Sequence, residues 1–286
     1  MTGMLGLALY ALLLVGPMRR RLRAIPADRR SWLLLLALAP LLLGTKMRPD
    51  VIAIRQTIYY VLVPALAMTL RGRMKRGQDL MTALAILAIW LPIEFDWLPI
   101  PKVSITPALN VPMAELTGIV TTLLLFDLIH PTKGLGVEWR WSWHDVKHAL
   151  LGLGAFALVG IPLGLALDFL RFEPSYPGTA DLLLGLLAGY FFVALPEEVL
   201  FRGIIQNTIG QRTKRPWLSL VAASVIFGLA HLNNNTRGYG VPNWAYAGMA
   251  GLAGLCYGWA WLRSQKTTVS ALTHASVNAL WWILFV

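Results

Sequence analysis

The chain has 286 residues, of which 57% are hydrophobic and only 14% charged, with a formal net charge of +11. A domain surrounded by water carries about 25% charged residues, so the composition excludes an ordinary soluble domain and points to an all-α, polytopic transmembrane helix bundle. Short alternating segments are missing, which excludes an outer-membrane barrel, and the spread of positive charge over many loops excludes a nucleic-acid partner.

About ten apolar segments follow one another. The first runs from Met4 to Gly16 and is followed by the basic run Met18–Arg23. Its charges follow the apolar stretch and no small-residue cleavage site appears, so it reads as an anchor with its N-terminus outside. The next are Trp32–Leu43, Val51–Leu70 with Pro64 inside, and Leu80–Leu98. Prolines 99, 101, 107 and 112 place the following stretch at the surface. Pro112–Ile129 is the fifth segment. A polar linker, His130–His148, carries Trp139, Trp141 and Trp143 in the mix of indole and charge that settles at a membrane interface. Surface or interfacial roles suit His130, His144 and His148. Five more segments complete the chain: Ala149–Leu170, Leu182–Gly210, Trp217–His231, Trp244–Leu262 and Thr267–Val286. The first two segments are short, so eight or nine spans fit as well as ten.

With this alternation, most of the 25 Lys and Arg residues fall on one side. That is the positive-inside pattern, with both termini outside, and it implies a multi-pass integral protein of a bacterial inner membrane. The linker separates residues 1–145, an accessory set of helices, from 146–286, a catalytic set. Gly248, Gly251, Gly254 and Gly258 let a neighbouring helix approach the ninth segment closely. Cys256 is the sole cysteine, which excludes an intrachain disulfide and a cysteine metal cluster. Asn234-Asn235-Thr236 matches a glycosylation acceptor.

Polar groups interrupt three apolar segments: Glu197, Glu198 and Arg202; then Phe227 and His231; then His274 and Asn278. Ionisable groups in such segments are functional candidates. At a rise of about 1.5 Å per residue, Glu197 lies ~20 Å from Gly210, His231 ~21 Å from Trp217, and His274 and Asn278 ~12 and ~18 Å from Lys266. All four fall within a band of under about 10 Å. Glu198 and Arg202 are four apart and can pair on one face, with Glu197 about 100° away and free to face a cavity. Pro196 frees the carbonyl of Phe192 and can kink the helix.

A carboxylate and an imidazole sharing one water form a hydrolytic base. Glu197 would take the proton, His231 would orient the water, and His274 with Asn278 would donate to the oxyanion. Ser224 and Ser276 show no sign of activation, and HExxH is absent. Glu197, His231 and His274 are also candidate ligands for a divalent metal such as zinc, so catalysis with a metal and without one both stay open.

At these residues the sequence resembles the CAAX-protease and bacteriocin-processing (CPBP, Abi) family of intramembrane proteases, related to the type II CAAX prenyl endopeptidases. The family motifs stand here as Glu197-Glu198 with Arg202, Phe227 with His231, and His274 with Asn278, in order. The resemblance covers roughly Val146 to Val286. It implies a CPBP-type catalytic core in which Glu197 and His231 activate water and His274 and Asn278 face the oxyanion, supported by Glu198, Arg202 and Phe227. Members are commonly labelled metalloproteases, and metal-free catalysis is also argued. Eukaryotic and archaeal relatives cut after a prenylated cysteine; many bacterial ones process peptides. Such cavities open toward the cytosol. The expectation is an intramembrane endopeptidase acting on a lipidated C-terminus or membrane-associated peptide, with membrane lipids as further partners. The alternatives are a proton-coupled transporter and a noncatalytic membrane scaffold or immunity protein.

Overall fold

In the computed structural model the described residues are 2–26, 58–74, 76–95, 103–106 and 109–285, with 29, 55 and 97. The predicted segment Trp32–Leu43 and the first residues of Val51–Leu70 lie outside them. Two compact units divide the chain, Met1–Lys133 and Gly134–Val286.

In the first unit, α1 (Thr2–Leu14) and α2 (Gly16–Arg23) meet at Val15, and Pro17 opens α2 where its missing N–H costs nothing. A π-helical turn, Ile58–Leu62, leads into α3 (Val63–Arg73), and α4 spans Gln78–Glu94. The proline-rich stretch forms a short antiparallel hairpin, β1 (Val103–Thr106) with β2 (Leu109–Val111). Helix α5 (Met113–Leu123) continues as the π-helical segment Leu124–Ile129 and is buried along almost its whole length. Its Gly118 lets α4 close in, since a Cβ there would lie 2.7 Å from Ile93 Cδ1. Asp127, buried at the end of this helix, is paired with Arg19 at 3.2 Å and with Arg23. A buried carboxylate without such partners is strongly destabilising.

The second unit begins with an extended strap, 134–142, and five helices: α6 (Trp143–Ala166), α7 (Thr179–Thr213), α8 (Pro216–Leu229), α9 (Trp244–Ser264) and α10 (Thr267–Leu284). Helix α6 starts earlier than the apolar pattern suggested. Ser142 and Asp145 form a capping box, with Ser142 N–H donating to Asp145 Oδ2 at 2.7 Å. Helix α7 passes through Pro196 without stopping. A π-helical turn over Gly189–Ala194 precedes the proline and a second, Val199–Gln206, follows the glutamates. Such turns absorb the lost hydrogen bond and the ring's clash.

The small residues of α9 do bring helices together. A Cβ on Gly228 of α8 would lie 2.5 Å from the Ala247 carbonyl, and one on Gly258 would lie 2.5 Å from Gln206 Oε1. Two of the linker tryptophans make contacts within the unit while keeping part of their surface exposed. Trp139 lies against Tyr190 and Phe191, and Trp141 Nε1 donates to Thr268 Oγ1 at 3.0 Å. Trp143 is exposed.

The ten-span bundle is overturned. Among the described residues, two helices are long and apolar enough to cross a membrane, α6 with 24 residues and α7 with 35. Both carry exposed leucines, including Leu150, Leu158, Leu183 and Leu187. In the first unit the apolar runs, where described, become the α-helices α1, α3, α4 and α5, of 13, 11, 17 and 11 residues. At 1.5 Å per residue even the longest reaches about 26 Å, short of a ~30 Å hydrocarbon layer. In the second unit, α9 and α10 are long enough, but Gly, Trp, Tyr, Ser and Thr dilute their apolar character. The loop-charge argument assumed that the chain changes sides at every run. Without those crossings it assigns no side to either terminus, and the multi-pass inner-membrane location loses its basis.

Candidate active site

All of the sequence-predicted site residues fall in the second unit. Glu197 and Glu198 lie on the short α-helical turn Leu195–Glu198 between the two π-helical segments of α7. Phe227 is near the end of α8, His231 follows in the turn after it, and His274 and Asn278 lie one helical turn apart on α10. Glu197, Phe227, His231, His274 and Asn278 line one cavity of about 210 Å³. Apolar side chains complete its wall, among them Phe156, Val193, Met249 and Val277.

Glu198 and Arg202 stand behind this wall, both with no exposed surface. Arg202 Nε lies 3.2 Å from Glu198 Oε2, and Nη2 donates to the Gly254 carbonyl at 2.9 Å. The guanidinium also sits 4.6 Å from the centre of the Phe227 ring, a favourable position for a cation over a π face. Gly254 leaves little room here: a Cβ would approach Arg202 Nη2 and Phe227 to 3.2 Å. Glu198 has two further partners. His274 Nδ1 donates to Oε1 at 3.0 Å, and Ser270 Oγ donates to Oε2. The His274 ring is stacked on Tyr257 at 4.4 Å. One buried carboxylate thus holds α7 to α10 and fixes the imidazole.

The tautomers follow from these bonds. With Nδ1–H given to Glu198, His274 turns Nε2 to the cavity, 4.0 Å from Glu197 Oε2. His231 Nδ1 is 2.8 Å from the Phe227 carbonyl, which can only accept, so its Nε2 carries the lone pair in the neutral ring. Burial pushes the His231 imidazole below its ordinary value, against the opposing pull of Glu197. Glu197 Oε2 is buried without a hydrogen-bond partner in the protein, as a group waiting for a ligand or water would be.

Among the described residues no group of three His, Cys, Asp or Glu side chains is disposed to hold an ion. The Nδ1 hydrogen bonds leave Nε2 of each histidine with the lone pair, as in a ring that binds a metal or accepts from water. Ser224 and Ser276 donate to carbonyls one turn back, at 2.8 and 2.7 Å. Sequence reasoning missed Ser270, Tyr257 and Tyr246. Ser270 was within reach, because Ser270, His274 and Asn278 form a polar stripe four residues apart on α10. Tyr257 and Tyr246 sit in a Gly/Ala-rich run that reads as packing alone.

The cavity gathers a carboxylate, two oriented imidazoles and a carboxamide. Residues 179–280 match the family model described as type II CAAX prenyl endopeptidase Rce1-like. This segment, roughly a third of the chain, carries a domain of that protease family; it supports enzymatic activity and a peptide-type substrate in general terms. Comparison with curated proteins and with solved structures gives no match.

Proposed function

We propose that the protein is an endopeptidase that hydrolyses a peptide bond with water activated by Glu197 and His231. The observation that carries this reading is the meeting of Glu197, His231, His274 and Asn278, drawn from three separate stretches, around one cavity. Water donates one hydrogen to the Glu197 carboxylate and the other to the bare Nε2 of His231, which aims its lone pair at the carbonyl carbon. As the C–O bond forms, the Glu197 carboxylate takes the proton and the carbonyl electrons move onto oxygen. Asn278 Nδ2–H donates to that oxyanion, and His274, oriented by Glu198, stands beside it on the cavity wall. Collapse breaks the C–N bond, and Glu197 delivers its proton to the leaving amine. Phe227 and Arg202 hold the walls in place.

The substrate class we favour is a membrane-associated peptide or a lipidated C-terminus, because the cavity wall is largely apolar and the matched family is named for prenylated substrates. The first unit is then accessory. The test is to express the wild-type chain, Glu197→Gln and His231→Ala, and to compare the termini of small hydrophobic peptides and lipidated proteins by mass spectrometry. Fragments present with the wild type alone support the reading. Identical peptide inventories with folded variants would sink it.

A further inference from the structure

A second cavity, of about 520 Å³, adjoins the first. The two share Asn234, Tyr246, Asn278 and Trp281, so they lie side by side with Asn278 on the wall of both. Their chemistry differs. The inner compartment is mostly apolar, whereas the outer one is lined by the loop Asn233–Thr236, Asn278 and three aromatic side chains. No acid and no base lines the outer compartment. It therefore offers no charged side chain to pair with phosphate, a carboxylate or a cation. A carboxamide offers both a donor and an acceptor, the pattern a peptide main chain presents in return.

The loop is held in place. Asn243, almost fully buried, donates from Nδ2 to the Asn234 carbonyl and to Thr236 Oγ1, both at 2.9 Å. Thr236 and Tyr239 exchange main-chain hydrogen bonds at 3.2 and 2.9 Å, and Tyr239 Oη donates to the Leu167 carbonyl. The far wall is equally fixed, because the Trp282 ring lies on Gly185, where a Cβ would come within 2.5 Å. A surface ordered before binding loses little entropy when a chain is laid on it.

We propose that the Asn233–Thr236 rim is a docking subsite for the main chain of the substrate, holding one flank of the cleaved peptide extended. Asn278, on the wall of both compartments, marks where the scissile carbonyl crosses into the inner one. The proposal rests on the endopeptidase reading. It narrows the substrate to one with an unstructured peptide flank whose main-chain N–H groups are free.

The test uses the full chain with Glu197→Gln, so that nothing is cut. The probe is a fluorescein-labelled neutral decapeptide, blocked at its C-terminus, with a central Leu-Val pair. Two analogues are N-methylated at three successive main-chain nitrogens, on one flank or the other. Binding is followed by anisotropy with and without Asn234→Ala and Asn235→Ala together. The Asn243 clamp uses the carbonyl of Asn234 and the hydroxyl of Thr236, so the substitutions leave it intact. The expected result is that one analogue binds about tenfold more weakly than the parent, and that the difference falls below twofold in the Asn variant. A general loss of packing would weaken all three peptides alike. Equal binding of parent and analogues, a methylation penalty that persists in the Asn variant, or no binding of the parent at millimolar protein would overturn the proposal. The chain with Glu197 restored is incubated with the same peptide; if it binds with the rim signature and stays uncut, the hydrolase reading fails and the rim stands.

Discussion

At the scale of single residues, the site assigns different tasks to chemically similar groups. Glu197 and Glu198 are adjacent, yet one faces the cavity with an unpartnered oxygen and the other is enclosed by Arg202, His274 and Ser270. Their substitutions should therefore fail in different ways. Glu197→Gln keeps the shape and loses the proton acceptor, so kcat should fall by at least about 10³ with the melting temperature nearly unchanged. Arg202→Met leaves Glu198 buried without its cation, and should cost about 3–5 kcal/mol of stability by denaturant titration. If Glu197→Gln unfolds the chain, or Arg202→Met leaves it as stable as before, the division of labour is wrong. His231 adds a pH signature. Its imidazole is held below the ordinary 6.5 by burial, so at neutral pH Nε2 is bare and can accept from water. Activity should be flat near neutrality and fall only as pH drops through that lowered value. The same proton binds the unfolded chain more readily, so stability also declines below about 6.5. A kcat/KM profile with an acid limb that His231→Gln abolishes is the expected result. A limb that survives the substitution assigns it to another group.

At the scale of helices, what the sequence revealed and what it hid have separate physical causes. The Glu198–Arg202 pair and the outward turn of Glu197 were legible because helical spacing alone dictates them. That some helix would approach α9 closely was legible from glycine spacing; that this helix is α8 came from the structure. Pro196 was read as a kink, whereas α7 takes up the proline with π-helical turns on either side, and no local propensity announces such turns. The third partner of Glu198 was hidden because the His274 contact joins residues 76 apart. The error over membrane spans came from counting apolar runs, which measures composition and not where helices end. The Gly228 contact yields a prediction at this scale. Gly228→Ala drives a methyl group against the Ala247 carbonyl, and backbone cannot swing aside as a side chain can. The helices must part, at a cost of about 1–3 kcal/mol, and Phe227 and His231 move with the end of α8. Thermal melting should drop and kcat should fall with it. Gly154→Ala, on α6 with nothing within 4 Å, is the control: it should leave kcat unchanged and the melting temperature unchanged or slightly raised. Equal behaviour of the two variants would mean that α8 and α9 have slack between them.

At the scale of the whole chain, every group in the proposed chemistry lies within Gly134–Val286, and so do the bonds that fix those groups. The start of this unit matters more than its polar sequence suggests. Gly136, at φ +78°, accepts from Thr267 N–H at 2.9 Å, and a Cβ there would meet the Gln265 carbonyl at 2.8 Å. Thr268 Oγ1 donates to the Glu138 carbonyl, and Lys266 reaches both the Arg140 carbonyl, at 2.7 Å, and Asp145, at 2.8 Å. These bonds hold the strap across the first turn of α10, the helix that carries Ser270, His274 and Asn278. Removing residues 1–145 would strip out the strap, the α6 capping box and the partner of Lys266 together. Tolerance to truncation depends on the burial and bonding of the backbone removed, so the two cuts should differ sharply. A fragment of residues 134–286 is expected to melt cooperatively by circular dichroism and to cleave the peptides that the full chain cleaves, within about tenfold. A fragment of residues 146–286 should show a broad transition and little cleavage. If both fragments are inactive while 134–286 folds, the first unit supplies something to the chemistry and is not merely accessory. If both are equally active, the strap does not position α10, and the polar contacts around Lys266 carry no weight in the site.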